Sequence, residues 1–213
     1  MDRAAEIAAV REHARAALDA KHHAREITLG ACRLAIQSCA AAIRAVQREE
    51  FARAEELIAD ADAHLARADD AVRAHPDVRH GGYLHDAKKE FAEAHVTLAF
   101  VRGDAMPSAA DIGVDIPAYL NGMAEAASEL RRHILDCLRA DRLARAEELL
   151  AVMDEVYALL VTVDYPDAIT GGLRRTTDAL RAVIERTRGD LTNALVAQRL
   201  RLAIEESRSS PTE

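Results

Sequence analysis

Apolar residues recur along this chain at steps of three and four, the period of a helix with one buried face. From residue 2 to about 48 the positions Ala9/Val10, Ala17, Ile27, Leu34, Ile36, Ala40, Ile43 and Val46 follow that period, with Gly30 the only glycine and no proline. One very long helix is predicted there. A helix of about 45 residues spans roughly 65–70 Å, longer than a compact domain of this size, so its end needs partners. A second helix, from about 49 to 74, carries Phe51, Ala54, Leu57/Ile58, Ala61, Leu65, Ala68 and Val72 on its stripe. His75-Pro76 ends it, because a residue before proline is pushed out of the helical region.

After the Gly81-Gly82 break, a third helix runs from about 83 to 101, with Leu84, Ala87, Phe91, Ala94, Leu98 and Val101 in line. Glu90 falls at the edge of that stripe and Glu93 well off it. Residues 102–116 hold Gly103, Pro107, Ser108 and Gly113 and read as a loop with room for an insertion or a lid. Pro117 opens a fourth helix, capped by Asp115 and running to about 139, with stripe Tyr119/Leu120, Met123, Ala127, Leu130, Ile134 and Leu138. Asp141 is expected to cap a fifth, to about 163. Tyr165-Pro166 and Gly171-Gly172 then break the chain before a last helix from about 173 to 204, weakest at Gly189. The prediction is all-α: six or seven helices in one domain over residues 1–206, then a disordered tail, 207–213.

Composition agrees. Nine glycines, five prolines and 3% aromatic residues in 213 favour long helices and leave little for a sheet. The net charge of −8 gives nucleic-acid binding no support in bulk, so any such role needs a local basic patch. With so few aromatics there is little to stack bases on. The cysteines, Cys32, Cys39 and Cys137, form no metal-type spacing and read as reduced, buried thiols. The first fifteen residues are charged throughout, unlike a signal peptide, and no apolar run is read as membrane-spanning. The expectation is a cytoplasmic protein with no membrane.

Two carboxylate pairs are candidates for chemistry: Glu90 with Glu93 at i, i+3, and Glu125 with Glu129 at i, i+4. Brought together, four carboxylates make a hard-oxygen site for Mg²⁺ or Mn²⁺. Spacing alone does not distinguish such a site from solvated acids, since Asp2/Glu6 and Glu56/Asp60 have the same spacing among 36 acids. A di-iron bundle would need two Glu-x-x-His motifs, and the chain has none. His22, His23 and His133 read as helix-surface residues. Arginines cluster at 25/33, 44/48, 131/132, 174/175 and 199/201, either as phosphate contacts or as partners of helix-surface acids.

Three segments carry a family likeness. They are R-E-I-T-x-x-x-x-R at Arg25–Arg33, E-F-A-E-A at Glu90–Ala94, and Y-L-x-G-x-A-E-x-x-x-E-L-x-R at Tyr119–Arg132, preceded by Val114. Together they resemble the translin/TRAX family over most of the chain. The resemblance implies about seven helices assembling into a hollow oligomer, an octamer, with single-stranded RNA, or DNA, held inside. Its catalytic TRAX-like branch implies an Mg²⁺-dependent endoribonuclease. Glu90, Glu93, Glu125 and Glu129 would be catalytic, with Glu93, Glu129 and Glu125 on the metal and one acid orienting the attacking water. Glu125 stands where the family usually has Asp. Arg25 and Arg33 would contact phosphates. The other readings are a non-catalytic single-stranded RNA- or DNA-binding assembly and a purely structural helical oligomer.

Overall fold

The structure is a computed structural model describing residues 3–79 and 81–209. Asp2, His80 and residues 210–213, with that part of the predicted tail, lie outside the described residues. Among the described residues the chain forms eight helices and no strand, and the protein is 84% helical. Six are the long helices foreseen: α1 (Arg3–Gln47), α2 (Phe51–Val72), α4 (Tyr83–Arg102), α5 (Ile116–Arg139), α6 (Leu143–Leu160) and α8 (Leu173–Ser209). The other two, α3 (Pro76–Arg79) and α7 (Asp167–Thr170), are single turns that fill the two proline breaks. The last helix continues past the predicted end at about 204, as far as Ser209.

Helix α1 differs from expectation in which face it buries. Nothing is buried before Ala24, and Ile7, Val10 and Leu18 are each more than 60% exposed. Beyond that point, Ile43 and Val46 of the predicted stripe are buried and Leu34 is exposed, while the buried line otherwise runs through Ala24, Thr28, Ala31, Ala35, Cys39 and Ala42. These small residues let α2 and α4 come close along the same stretch. One 18-residue window of α1 is apolar enough by length and composition to cross a membrane, which the sequence reading did not foresee. In the fold, 39% of that window is buried inside the protein.

Helices α4 and α5 form the centre, with α1 and α2 packed on one side and α6 and α8 on the other. Asp115 caps α5 as expected, its carboxylate accepting from the Ala118 N–H at 2.9 Å. Asp141 does not cap α6. It sits at φ +54°, Arg142 takes the N-cap position without a side-chain bond, and Asp141 faces Arg201 at 3.4 Å instead. The 103–115 loop is fixed to the core: Ala109 and Val114 are buried, and the Tyr119 hydroxyl donates to the Pro107 carbonyl at 2.5 Å.

Candidate metal centre

The crossing of α4 and α5 places the acids. At Gly122 a Cβ would lie 2.5 Å from the Lys89 carbonyl oxygen and 2.9 Å from both the Ala92 Cβ and the Glu93 nitrogen. Real Cβ atoms do not approach backbone so closely, so only glycine permits this crossing. The missing side chain lets the turn carrying Glu90 and Glu93 lie directly on the turn before Glu125.

Glu90, Glu93 and Glu125 then converge, with one ligand atom from each lying within 4.8 Å of the others. Glu93 was read as lying off the buried stripe. The structure corrects this: it is only 8% exposed, because α5 and α1 cover the side of α4 that the stripe left over. Glu90, Glu125 and Glu129 are half-buried. The Glu93 carboxyl is raised from its ordinary 4.5 to about 8, first by burial and then by the charges of Glu90, Glu125 and Glu129. No side-chain hydrogen bond or ion pair is found for it among the described residues.

Lys89 supplies the cluster's counter-charge. Its ammonium is 2.7 Å from Glu125 Oε2, 2.8 Å from Oε1 and 3.4 Å from Glu90. Burial alone would lower its pKa, but hydrogen bonding to Glu125 and the charges of Glu125 and Glu90 raise it. Helix α1 closes the back. The buried Cys39 thiol is pushed up to about 12 by burial and then by Glu90 and Glu93, which leaves it an unreactive thiol. All three cysteines are free and buried, as expected.

Glu129 is not a member of the converging trio. The Gln47 Nε2, at the end of α1, donates to Glu129 Oε2 at 3.2 Å and to its main-chain oxygen at 3.3 Å. Neither Lys89 nor Gln47 had a sequence signal: one is a lysine beside an acid, the other a polar residue at a helix end. Arg25 donates to its neighbour Glu26 at 2.7 Å, Arg33 is exposed, and neither is paired with an acid of the cluster. Arg131, Arg132 and Arg139 line a groove of about 540 Å³ together with Glu129. Arg131 is held by Thr187 at 3.1 Å and Asp190 at 2.8 Å. A larger cavity, about 750 Å³, lies at the starts of α4 and α5 around His85 and Asp115 and contains none of the four glutamates.

His133, read as a surface residue, is buried at 4% exposure between α5 and the α1–α2 turn. Its pKa is lowered chiefly by burial. Its Nε2 lies 3.9 Å from Glu49.

Three buried or half-buried carboxylates with one weakly partnered member fit a divalent cation. They offer hard oxygen ligands, and a +2 charge would offset the burial and the acid–acid repulsion that raise the Glu93 carboxyl.

No protein-family profile matches the chain. It is similar to the crystal structure of AfC3PO, with 31% identity and a TM-score of 0.79 over 87% of this chain and 97% of that one. The AfC3PO–duplex RNA complex matches similarly, at 30% identity and a TM-score of 0.76 over 87% and 96%. Apo-NeC3PO shares the fold, at a TM-score of 0.71 and 16% identity over 88% and 96%. An uncharacterized protein of Methanocaldococcus jannaschii is 32% identical over 122 residues, 56% of this chain. The match spans about half, 54%, of that relative's length.

Proposed function

C3PO is the translin/TRAX complex, so the chain belongs to the translin/TRAX-like family, and on that premise we propose that it is a metal-dependent endoribonuclease acting on single-stranded RNA. The observation that carries this reading is the convergence of Glu90, Glu93 and Glu125 around the buried Glu93 carboxyl. Those glutamates would hold Mg²⁺ or Mn²⁺, with Glu129 completing the set. The cation, when bound, would polarise a phosphodiester and make a water more acidic. The chain's own contribution is to fix the carboxylates on rigid helices, exclude water from one side of Glu93 and keep Glu129 oriented. Binding of RNA is supported by the duplex RNA complex of a relative that shares the fold and 30% of the sequence. Arg25 and Arg33 are taken as phosphate contacts, and Arg131, Arg132 and Arg139, which line a groove with Glu129, would add to them. We take the assembly to be a hollow homo-oligomer, an octamer, in the cytoplasm. In the single chain, α1 up to residue 23 has no buried side chain and leaves Ile7, Val10 and Leu18 uncovered.

The alternative is a non-catalytic protein that binds single-stranded RNA or DNA. It is favoured by one observation, the Lys89 ammonium seated against Glu125 and Glu90, which balances part of the acid charge without a metal. The deciding experiment is cleavage of single-stranded RNA with Mg²⁺ or Mn²⁺ by wild type and by Glu93→Gln/Glu129→Gln. Activity that EDTA and the double substitution both abolish supports the nuclease. RNA binding without cleavage at any metal concentration supports the alternative.

A further inference from the structure

We propose that Lys89 is an exchangeable counter-ion: it holds Glu125 and Glu90 until a divalent cation displaces it, and then turns to a phosphate of the bound RNA. This rests on the nuclease reading above and adds to it a coupling between metal and RNA at the same site.

The chain has three lysines, and the fold uses them differently. Lys21 pairs with Asp77 at 2.6 Å on the surface. Lys88 is buried and held 2.8 Å from Asp69 of α2, so it ties two helices together. Lys89 pairs only with acids of the cluster among the described residues. Its ammonium meets both oxygens of Glu125 and reaches Glu90. These are two of the three carboxylates whose ligand atoms converge. A cation ligated by the trio therefore meets an ammonium already seated on two of its ligands. Two positive charges sharing one half-buried carboxylate repel each other. The divalent ion prevails, because it carries twice the charge and gains a third carboxylate, Glu93, that the ammonium does not bond.

Only the side chain has to move. The Lys89 main chain is wedged at the crossing, where its carbonyl oxygen would lie 2.5 Å from a Cβ at Gly122. The side chain is a flexible four-carbon stem ending in a point charge with three rotatable donors, so it leaves a carboxylate without disturbing the helices. A displaced ammonium in a half-buried place needs another anion. A phosphate of RNA bound at the cation supplies one. Metal-free protein thus keeps Lys89 from RNA, and metal releases it. By linkage, RNA must then raise the affinity for metal by the same factor.

The test compares wild type, Lys89→Met and Lys89→Arg, with Lys21→Met as an equal loss of charge away from the cluster and Glu93→Gln as a lost ligand. Mn²⁺ titration calorimetry on metal-free protein reads the competition without turnover. Lys89→Met is expected to bind Mn²⁺ about fivefold tighter than wild type. Lys89→Arg should bind it no tighter than wild type, Lys21→Met should match wild type, and Glu93→Gln should bind it at least about tenfold more weakly. In EDTA, single-stranded RNA affinity by fluorescence anisotropy should have the same salt dependence in wild type and Lys89→Met. In saturating Mn²⁺, Lys89→Met should raise KM about tenfold, with most of the loss in kcat/KM carried by KM. The slope of log KM against log salt should fall by about 0.7, one single-strand phosphate contact. Lys89→Arg should restore both. If Lys89→Met fails to fold by circular dichroism, Lys89→Gln carries the same readouts.

Mn²⁺ affinity that is unchanged or lower without the lysine overturns the exchange, and so does a salt slope of KM equal to that of wild type. A wild type that binds Mn²⁺ but cleaves nothing removes the nuclease reading alone. Calorimetry, with RNA anisotropy in EDTA and in Mn²⁺, then decides the exchange by the same signs.

Discussion

Helices α2 and α5 each carry two acids four residues apart, Glu56/Asp60 and Glu125/Glu129, and nothing in the spacing separates them. In the fold they share little. Glu56 and Asp60 are exposed, and Glu56 is paired with Arg53 one turn back at 2.7 Å. Glu125 and Glu129 are half-buried. One is held by Lys89 of α4 and the other by Gln47 of α1. The difference lies in what stands opposite. The face of α5 that carries its acids continues into Gly122, where α4 comes within backbone contact, whereas the α2 acids face solvent. A carboxylate pair becomes a candidate site only when a second acid-bearing helix can approach it, and here one missing Cβ permits the approach.

The most damaging way to break that contrast is to restore the Cβ. Gly122→Ala puts a methyl group 2.5 Å from the Lys89 carbonyl and 2.9 Å from the Glu93 nitrogen, both backbone atoms of a packed helix. The helices must separate. Overpacking of this kind costs about 1–3 kcal/mol. Urea or thermal unfolding should show that loss, and Mn²⁺ affinity should fall with it as Glu125 moves away from Glu93. Unchanged stability together with unchanged Mn²⁺ affinity would mean that the crossing does not set the site.

Much of the fold was legible in the sequence because it rests on period, caps and breaks. The six long helices, the Asp115 cap and the loop after α4 all follow from local residues. The burial of α1 was legible only at Ile43 and Val46, since the rest of its core line is Ala, Thr and Cys and is invisible to a search for Leu and Ile. Asp141 failed as a cap because a positive φ and a partner on α8 outweighed local preference. At the site, the motifs named the four glutamates. Their surroundings were hidden, because Glu93's burial depends on the helix laid over it and Gln47 lies 82 residues from Glu129.

A gentler probe sharpens the same contrast through pH. The Glu93 carboxyl sits at about 8 in the fold and near 4.5 when unfolded. Below about 4.5 it is protonated in both states and contributes nothing to the pH slope. Between about 4.5 and 8 unfolding releases its proton, so each rise in pH favours the unfolded chain, and the stability carried by the neutral carboxyl is lost through that window. Metal-free wild type should therefore lose Tm relative to Glu93→Gln as pH rises across it. Saturating Mn²⁺ should erase the difference in slope by stabilising the ionised form. Parallel melting curves for the two metal-free proteins would show that Glu93 is not raised. The exposed acids of α2 are the counterpart of this buried carboxyl.

Those α2 acids supply the smallest effect and the control on which the contrast depends. Glu56→Gln removes a charge at the same helical spacing as the site, in an exposed i, i+3 pair with Arg53. Solvent screens such a pair, and the long side chains lose entropy by forming it, so its loss should change stability by less than about 0.5 kcal/mol. Mn²⁺ affinity and RNA cleavage should be those of wild type. The prediction is informative because it is close to zero. If Glu56→Gln and Glu93→Gln weakened Mn²⁺ binding equally, the protein's overall negative charge would be attracting the cation, and the convergence at the α4–α5 crossing would explain nothing. A variant that separates from Glu93→Gln by an order of magnitude or more in Mn²⁺ affinity, at equal change in net charge, assigns the effect to position.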